Sequence, residues 1–388
     1  MSRKIKVAPA RHCGNGLVLG IEGTEKPVIR FLAECRECTE FMWFNMTARD
    51  TGGRRLRFVW ENAHYSLGSH KDLPNVRPVY RQDDGEWKRV GEVEIEERLE
   101  GPRLIFETPE GGNVIDAALC YPYGERELSA TLKKLKRRPE QTVAGLTTKG
   151  RPIRRFRFAA NEPARRGGTA KPPGVYMIAR QHSGETPGSL AMDGVFRALG
   201  EGLGADVEWW LLPFVDLDGV EDGNYGKDAL PIDFNRAWGR MPMRPELKGI
   251  QSDIRTFAAV TAPQLLLDLH APGYGEDGIY TFLPREERPE KQRQAVLSWA
   301  EKLNTRLVEA FNRSQATYCR VPNYASRWDY NDTSGTWAWE YAKIMGACTE
   351  ISYQSYGGER LDIEAYRMAG RSIALAVMDF LAAADAVK

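Results

Sequence analysis

The chain has 388 residues, 42% of them apolar and 28% charged, with a formal net charge of +1. This is a soluble globular composition, long for one core, and it points to two domains. A net charge near zero gives no electrostatic basis for a nucleic-acid or membrane-surface partner, and no apolar run approaches a membrane span.

The N-terminal MSRKIKVAPA lacks the apolar centre of a signal peptide. Six cysteines in so long a chain do not make a disulfide framework, which points to a reducing cytoplasm. Cys35 and Cys38 form a CxxC in ECREC, but no second pair stands at finger-like spacing, so they read as ordinary thiols rather than a zinc knuckle.

In chain order, FMWFNMTA, RLRFVWENA, WKRVGEVEI, PRLIFETP and VIDAALCY are short β segments separated by the turn signals TGG, DDG and EGG. They predict a small antiparallel β-sandwich over residues 1–122. A helix is expected at Glu125–Leu135, and a Pro/Gly/Arg-rich loop at Asn161–Pro173. Apolar strands follow at Gly174–Arg180, Val207–Val215, Gln264–His270 and Lys343–Ser352, with helices at Ser189–Leu199, Pro289–Asn312 and Asp362–Ala384. Uniformly apolar strands alternating with helices predict an α/β domain over 123–388, its mixed central sheet flanked by helices. The basic runs Lys133–Arg138 and Lys149–Arg157 read as solvated faces.

Ligands of such sheets sit past the carboxyl ends of the strands. Of the five histidines, His182 and His270 fall at or after predicted strand ends. His182 stands in QHSGET, three residues before Glu185, and His270 ends QLLLDLH. Two His and one Glu with an open fourth position form a catalytic zinc set. Asp233 is placed to hold a ring N–H of His182. In the same PIDFNRAW segment, Asn235 and Arg236 offer a neutral donor and a planar fork suited to a terminal carboxylate. Glu350, in GACTEISY, is an acid within an apolar strand, costly there unless paired or catalytic, and suited to the role of general base.

Taken together, HSGET, DLDGVEDGNY, DFNRAW, LLDLH and CTEISY resemble the zinc metallocarboxypeptidases related to carboxypeptidase A. Their order and character are most similar to the cytosolic carboxypeptidase branch, which includes tubulin deglutamylases. That branch carries a β-sandwich ending in a YCYPY-like segment, and LCYPYGERELSATL occupies that place here. The resemblance implies one zinc ion per chain on His182, Glu185 and His270. It further implies terminal-carboxylate binding by Asn235 and Arg236, a general base at Glu350, and a hydrogen-bonding tyrosine at Tyr330. The expected substrate is the C-terminus of a peptide or protein.

Two positions depart from the pattern. Gly226 stands in GNYGKD where the branch has the arginine that polarises the scissile carbonyl, and Lys227 is the residue placed to replace it. Trp337 is expected to line the specificity pocket and offers no fixed charge, so deglutamylation is not implied. A zinc amidase of small N-acyl amino acids, or a catalytically impaired binding protein, would use the same residues.

Overall fold

The computed structural model describes residues 4–66, 70–161, 171–323, 328 and 331–386. In the N-terminal part, alternation sends every second side chain inward. Strand Leu56–Trp60 buries Leu56, Phe58 and Trp60, and strand Arg103–Thr108 buries Leu104 and Phe106. Phe44, just before the opposing strand Asn45–Arg49, packs 5.0 Å from both Phe31 and Trp60. Two five-stranded sheets enclose this aromatic cluster.

The expected sandwich is therefore present, with one exception to its antiparallel pairing. Val28–Leu32 lies parallel to Leu56–Trp60. A parallel pair needs a crossover, which the chain makes by visiting the other sheet as Asn45–Arg49.

The second part is built on an eight-stranded mixed sheet. Its four central strands are mutually parallel, in the order Glu208–Leu212, Pro173–Ala179, Ala262–His270 and Met345–Ile351. Both faces are covered, which explains their continuous apolar sequence. Val175 and Met177 pack with the helices Thr186–Gly200 and Ile363–Ala386, while Tyr176 and Ile178 pack with Pro245–Val260 on the opposite face.

That last helix and the hairpin Glu140–Leu146/Pro152–Phe158 have no counterpart in the sequence-based expectation. Gly249 weakens the helical signal, since glycine costs about 1 kcal/mol in a helix interior. Its use is packing: a Cβ there would stand 2.7 Å from the Ala144 carbonyl oxygen of the hairpin. The hairpin was hidden inside the basic run. Lys149, Arg151, Arg154, Arg155 and Arg157 each pair with an acid of the chain, and the Arg155 guanidinium also lies 3.5 Å over Trp210.

Among the described residues, no helix is long and apolar enough to cross a membrane. The N-terminal sheets are stitched to the second part near residues 222–230. Asn15 Nδ2 donates to Gly223 O at 2.8 Å, Leu230 N donates to Glu37 O at 2.7 Å, and Cys38 forms a β-bridge with Ala229.

Candidate metal centre

The parallel register places His270 directly beside Glu350, at the carboxyl ends of adjacent strands. The third strand of the group ends at Ala179, and the next turn carries His182. Arg180 shapes that turn. It takes a left-handed φ of 61°, uncommon for a residue with a Cβ, and its buried guanidinium donates to Ser183 O and Tyr123 O. Glu185 then begins the helix Thr186–Gly200 as its N-cap residue. Sequence reasoning missed Arg180, because nothing local marks an arginine that folds back on its own turn.

The three expected ligands converge. One donor atom from each of His182, Glu185 and His270 lies within 4.8 Å of the other two, and all three residues are buried. His182 Nδ1 is 2.8 Å from Glu185 Oε1, and His270 Nδ1 is 2.9 Å from Glu185 Oε2. The far ring nitrogens are taken up elsewhere. His182 Nε2 contacts Asp233 at 3.1 Å, and His270 Nε2 contacts Asp268 at 3.0 Å.

With Nε2–H given to an aspartate, each Nδ1 presents a lone pair to a carboxylate oxygen. Two acceptors this close repel unless a proton or a metal cation lies between them. The donor set therefore fits zinc: imidazole, carboxylate, imidazole, each ring steadied by a carboxylate behind it. Without the metal, protons fill that role. Burial opposes a charged His182, but Glu185 and Asp233 outweigh it and lift the imidazole to about 9. Burial likewise opposes ionisation of Glu185, yet His182 and His270 hold it well below the usual carboxylate range.

Asp268 is a residue that the sequence reading passed over. It precedes His270 by two positions on one strand, so the two side chains share a face. Ser334 Oγ and Gln181 Nε2 also donate to it.

Glu350 stands apart from these pairs. It is buried, its Oε2 has no hydrogen-bond partner, and its Oε1 has only the Cys348 thiol at 3.9 Å. Burial pushes its carboxyl up to about 7; His270 opposes that shift, Glu185 adds to it and Lys227 opposes it. No ion pair locks it among the described residues.

A cavity of about 270 Å³ joins these groups to Arg236, Lys227 and Glu40. Asn235 Oδ1 accepts from Ser334 N at 3.0 Å. Its Nδ2 lies 3.3 Å from His270 Nε2. Where that ring nitrogen is unprotonated, the Asn235 amide donates to it, and Asn235 also lines the cavity. The Arg236 guanidinium donates to its neighbour's carbonyl, Asn235 O, and has no acidic partner among the described residues.

No family model matches the sequence. Over 373 residues the chain is 24% identical to human cytosolic carboxypeptidase 6, covering 87% of this chain and 71% of that protein. The mouse protein of the same name is 24% identical over 290 residues, 69% of this chain and 52% of that one. Among solved structures, a metallo-carboxypeptidase from Burkholderia cenocepacia superposes with a TM-score of 0.79 at 17% identity, covering 98% of this chain and all (100%) of the other. One from Pseudomonas aeruginosa, in complex with (2-guanidinoethylmercapto)succinic acid, gives 0.74 at 17%, over 97% and 100%.

In sequence the chain is similar to cytosolic carboxypeptidases, and it has the fold of the metallo-carboxypeptidases.

In this carboxypeptidase-like frame, one expected residue sits differently. Trp337 is fully buried, with its ring 5.4 Å from Trp238 in the core. The adjoining cavity of about 310 Å³ is lined at this turn by Gly335 and Thr336, not by the indole, because Trp337 points to the opposite side of the turn. The expectation that Trp337 lines a specificity pocket is corrected accordingly. Tyr330 lies outside the described residues.

Proposed function

We propose that the chain is a zinc carboxypeptidase that hydrolyses the last peptide bond of a peptide or protein. The observation that carries this reading is the convergence of His182, Glu185 and His270 on one point beside the buried Glu350, whose Oε2 has no hydrogen-bond partner. Zinc bound there would supply Lewis acidity and a water ionising near pH 7.

The chain's own groups do the rest. Asp233 and Asp268 fix the two imidazoles with Nδ1 facing inward. Arg236, with its fork uncommitted to any acid among the described residues, clamps the terminal carboxylate, and the Asn235 amide adds a neutral donor. The clamp sets the last peptide bond against Glu350, and positioning of this kind is worth several kcal/mol of barrier. Glu350 takes a proton from the attacking water and returns it to the leaving amine. Lys227, lining the same cavity, stands in for the arginine absent at Gly226 and faces the carbonyl oxygen. Tyr330 donates a hydrogen bond to the substrate, as the family resemblance implies.

The adjoining cavity beside Arg236 receives the terminal side chain. All six cysteines are free thiols, which supports a reducing compartment such as the cytoplasm.

Incubation of the zinc-loaded protein with a random peptide pool, read by mass spectrometry, tests the proposal. Ladders shortened one residue at a time from the C-terminus are expected. Cleavage confined to N-acyl amino acids would replace the peptidase with an amidase, and a metal-loaded protein that cleaves nothing would leave a binding role.

A further inference from the structure

The backbone at Gly226 has φ 85°, and a Cβ there would stand 2.4 Å from Ser183 Oγ and 2.5 Å from Ser183 N. No side chain projects from this position without displacing the turn that carries His182. The cation facing the scissile carbonyl must come from another residue. Among the described residues, two cations line the cavity besides Arg236: Lys227 and Arg320. Arg320 is committed, paired to Glu276 and lying 3.7 Å over the Tyr280 ring. That leaves Lys227.

A lysine head is a point charge on a flexible four-carbon stem, so it needs a partner to be aimed. Lys227 Nζ has one: Glu40 Oε2 at 3.7 Å. Glu40 belongs to the N-terminal part, and its segment is fastened to the loop of Lys227 along its length. Arg36 donates to Asp222 O, Leu230 N to Glu37 O, and Thr39 Oγ1 to Asp228 Oδ2 at 3.2 Å, while Cys38 bridges Ala229. The two side chains are 32% and 49% exposed, so their pairing contributes little to folding. The fastened segment nonetheless sets an acid into the cavity beside the lysine.

We propose that Glu40 is the positioning residue of Lys227, so that the N-terminal part completes the catalytic cavity. This rests on the hydrolase reading and on the role given there to Lys227. At 3.7 Å the pairing leaves hydrogens of the ammonium free to face the substrate oxygen.

The test uses the full zinc-loaded chain with Glu40→Gln, Glu40→Asp, Lys227→Ala and the Glu40→Gln/Lys227→Ala double variant. Initial rates are measured on a blocked peptide, and the rate of Lys227 acylation by an amine-reactive ester is followed by peptide mass spectrometry. Glu40→Gln is expected to lower kcat about tenfold with KM little changed, as expected for a loss of alignment. Glu40→Asp should recover most of that loss, and the double variant should be no slower than Lys227→Ala alone. Lys227 should be acylated several-fold faster once its partner is gone.

Wild-type kcat in Glu40→Gln, or full additivity in the double variant, would overturn the proposal. So would a change confined to KM for substrates with a basic residue upstream of the cleaved bond. If the wild-type chain cleaves no peptide, the hydrolase reading falls by itself. The acylation rates then decide whether Glu40 holds Lys227, and an unchanged rate overturns it.

Discussion

The two walls of the cavity are built on opposite rules. On the metal side, every donor is pinned: each imidazole has a carboxylate on both nitrogens, and Glu185 also accepts from Ala271 N at 3.0 Å. On the facing side, the chemically useful heads are left loose. Among the described residues, Glu350 has an unpartnered oxygen, Arg236 has no acid, and Lys227 has one at 3.7 Å. A site that holds must be satisfied before its ligand arrives, whereas a site that acts must keep something unsatisfied.

The largest effect expected from breaking this division comes from the pinned wall. His270→Ala or His182→Ala should abolish stoichiometric zinc, measured by elemental analysis after dialysis, and reduce hydrolysis to background. Next, Glu350→Gln should retain zinc but lower kcat by about 10²- to 10⁴-fold. Metal content that fell along with the rate would move Glu350 to the holding wall. In the wild-type enzyme, kcat/KM should fall on the acid side with an apparent pKa below about 7. The carboxyl sits near 7 without metal, and a bound cation favours its ionised form.

Arg236→Lys keeps the charge but loses the fork, and should lower kcat/KM about 10²-fold for peptides with a free terminal carboxylate. Peptides with an amidated terminus should be poor substrates for both proteins. Asp268→Asn should weaken zinc binding by about 10- to 100-fold, measured by competition with a chelator. Smallest is Trp337→Phe, expected to lower stability by about 1–2 kcal/mol in denaturant unfolding while leaving the preferred terminal residue unchanged.

The holding wall was more legible in the sequence than the acting one. With five histidines in the chain, few metal sets were possible, and continuous apolar strands put His182 and His270 at the same sheet edge. Asp268 was equally readable, since period-two spacing sets it on the face of His270. Arg180 was not, because its role depends on a left-handed backbone that no neighbour announces. Trp337 was misplaced for a related reason: adjacent residues of one turn point in different directions, and Gly335 and Thr336 face the cavity instead. Glu40 is far from the other cavity residues in sequence, and only the fastening of residues 36–39 to 222–230 brings it there. The hairpin at Glu140–Phe158 escaped because its arginines looked like a solvated run until their acidic partners were in place.

One carboxylate shared by two ring nitrogens has a consequence for loading. Each lone pair facing Glu185 carries a proton until zinc displaces it, and His182 keeps its proton up to about pH 9. Uptake of the ion is then an exchange that acidifies a weakly buffered solution, and apparent affinity climbs with pH through the neutral range.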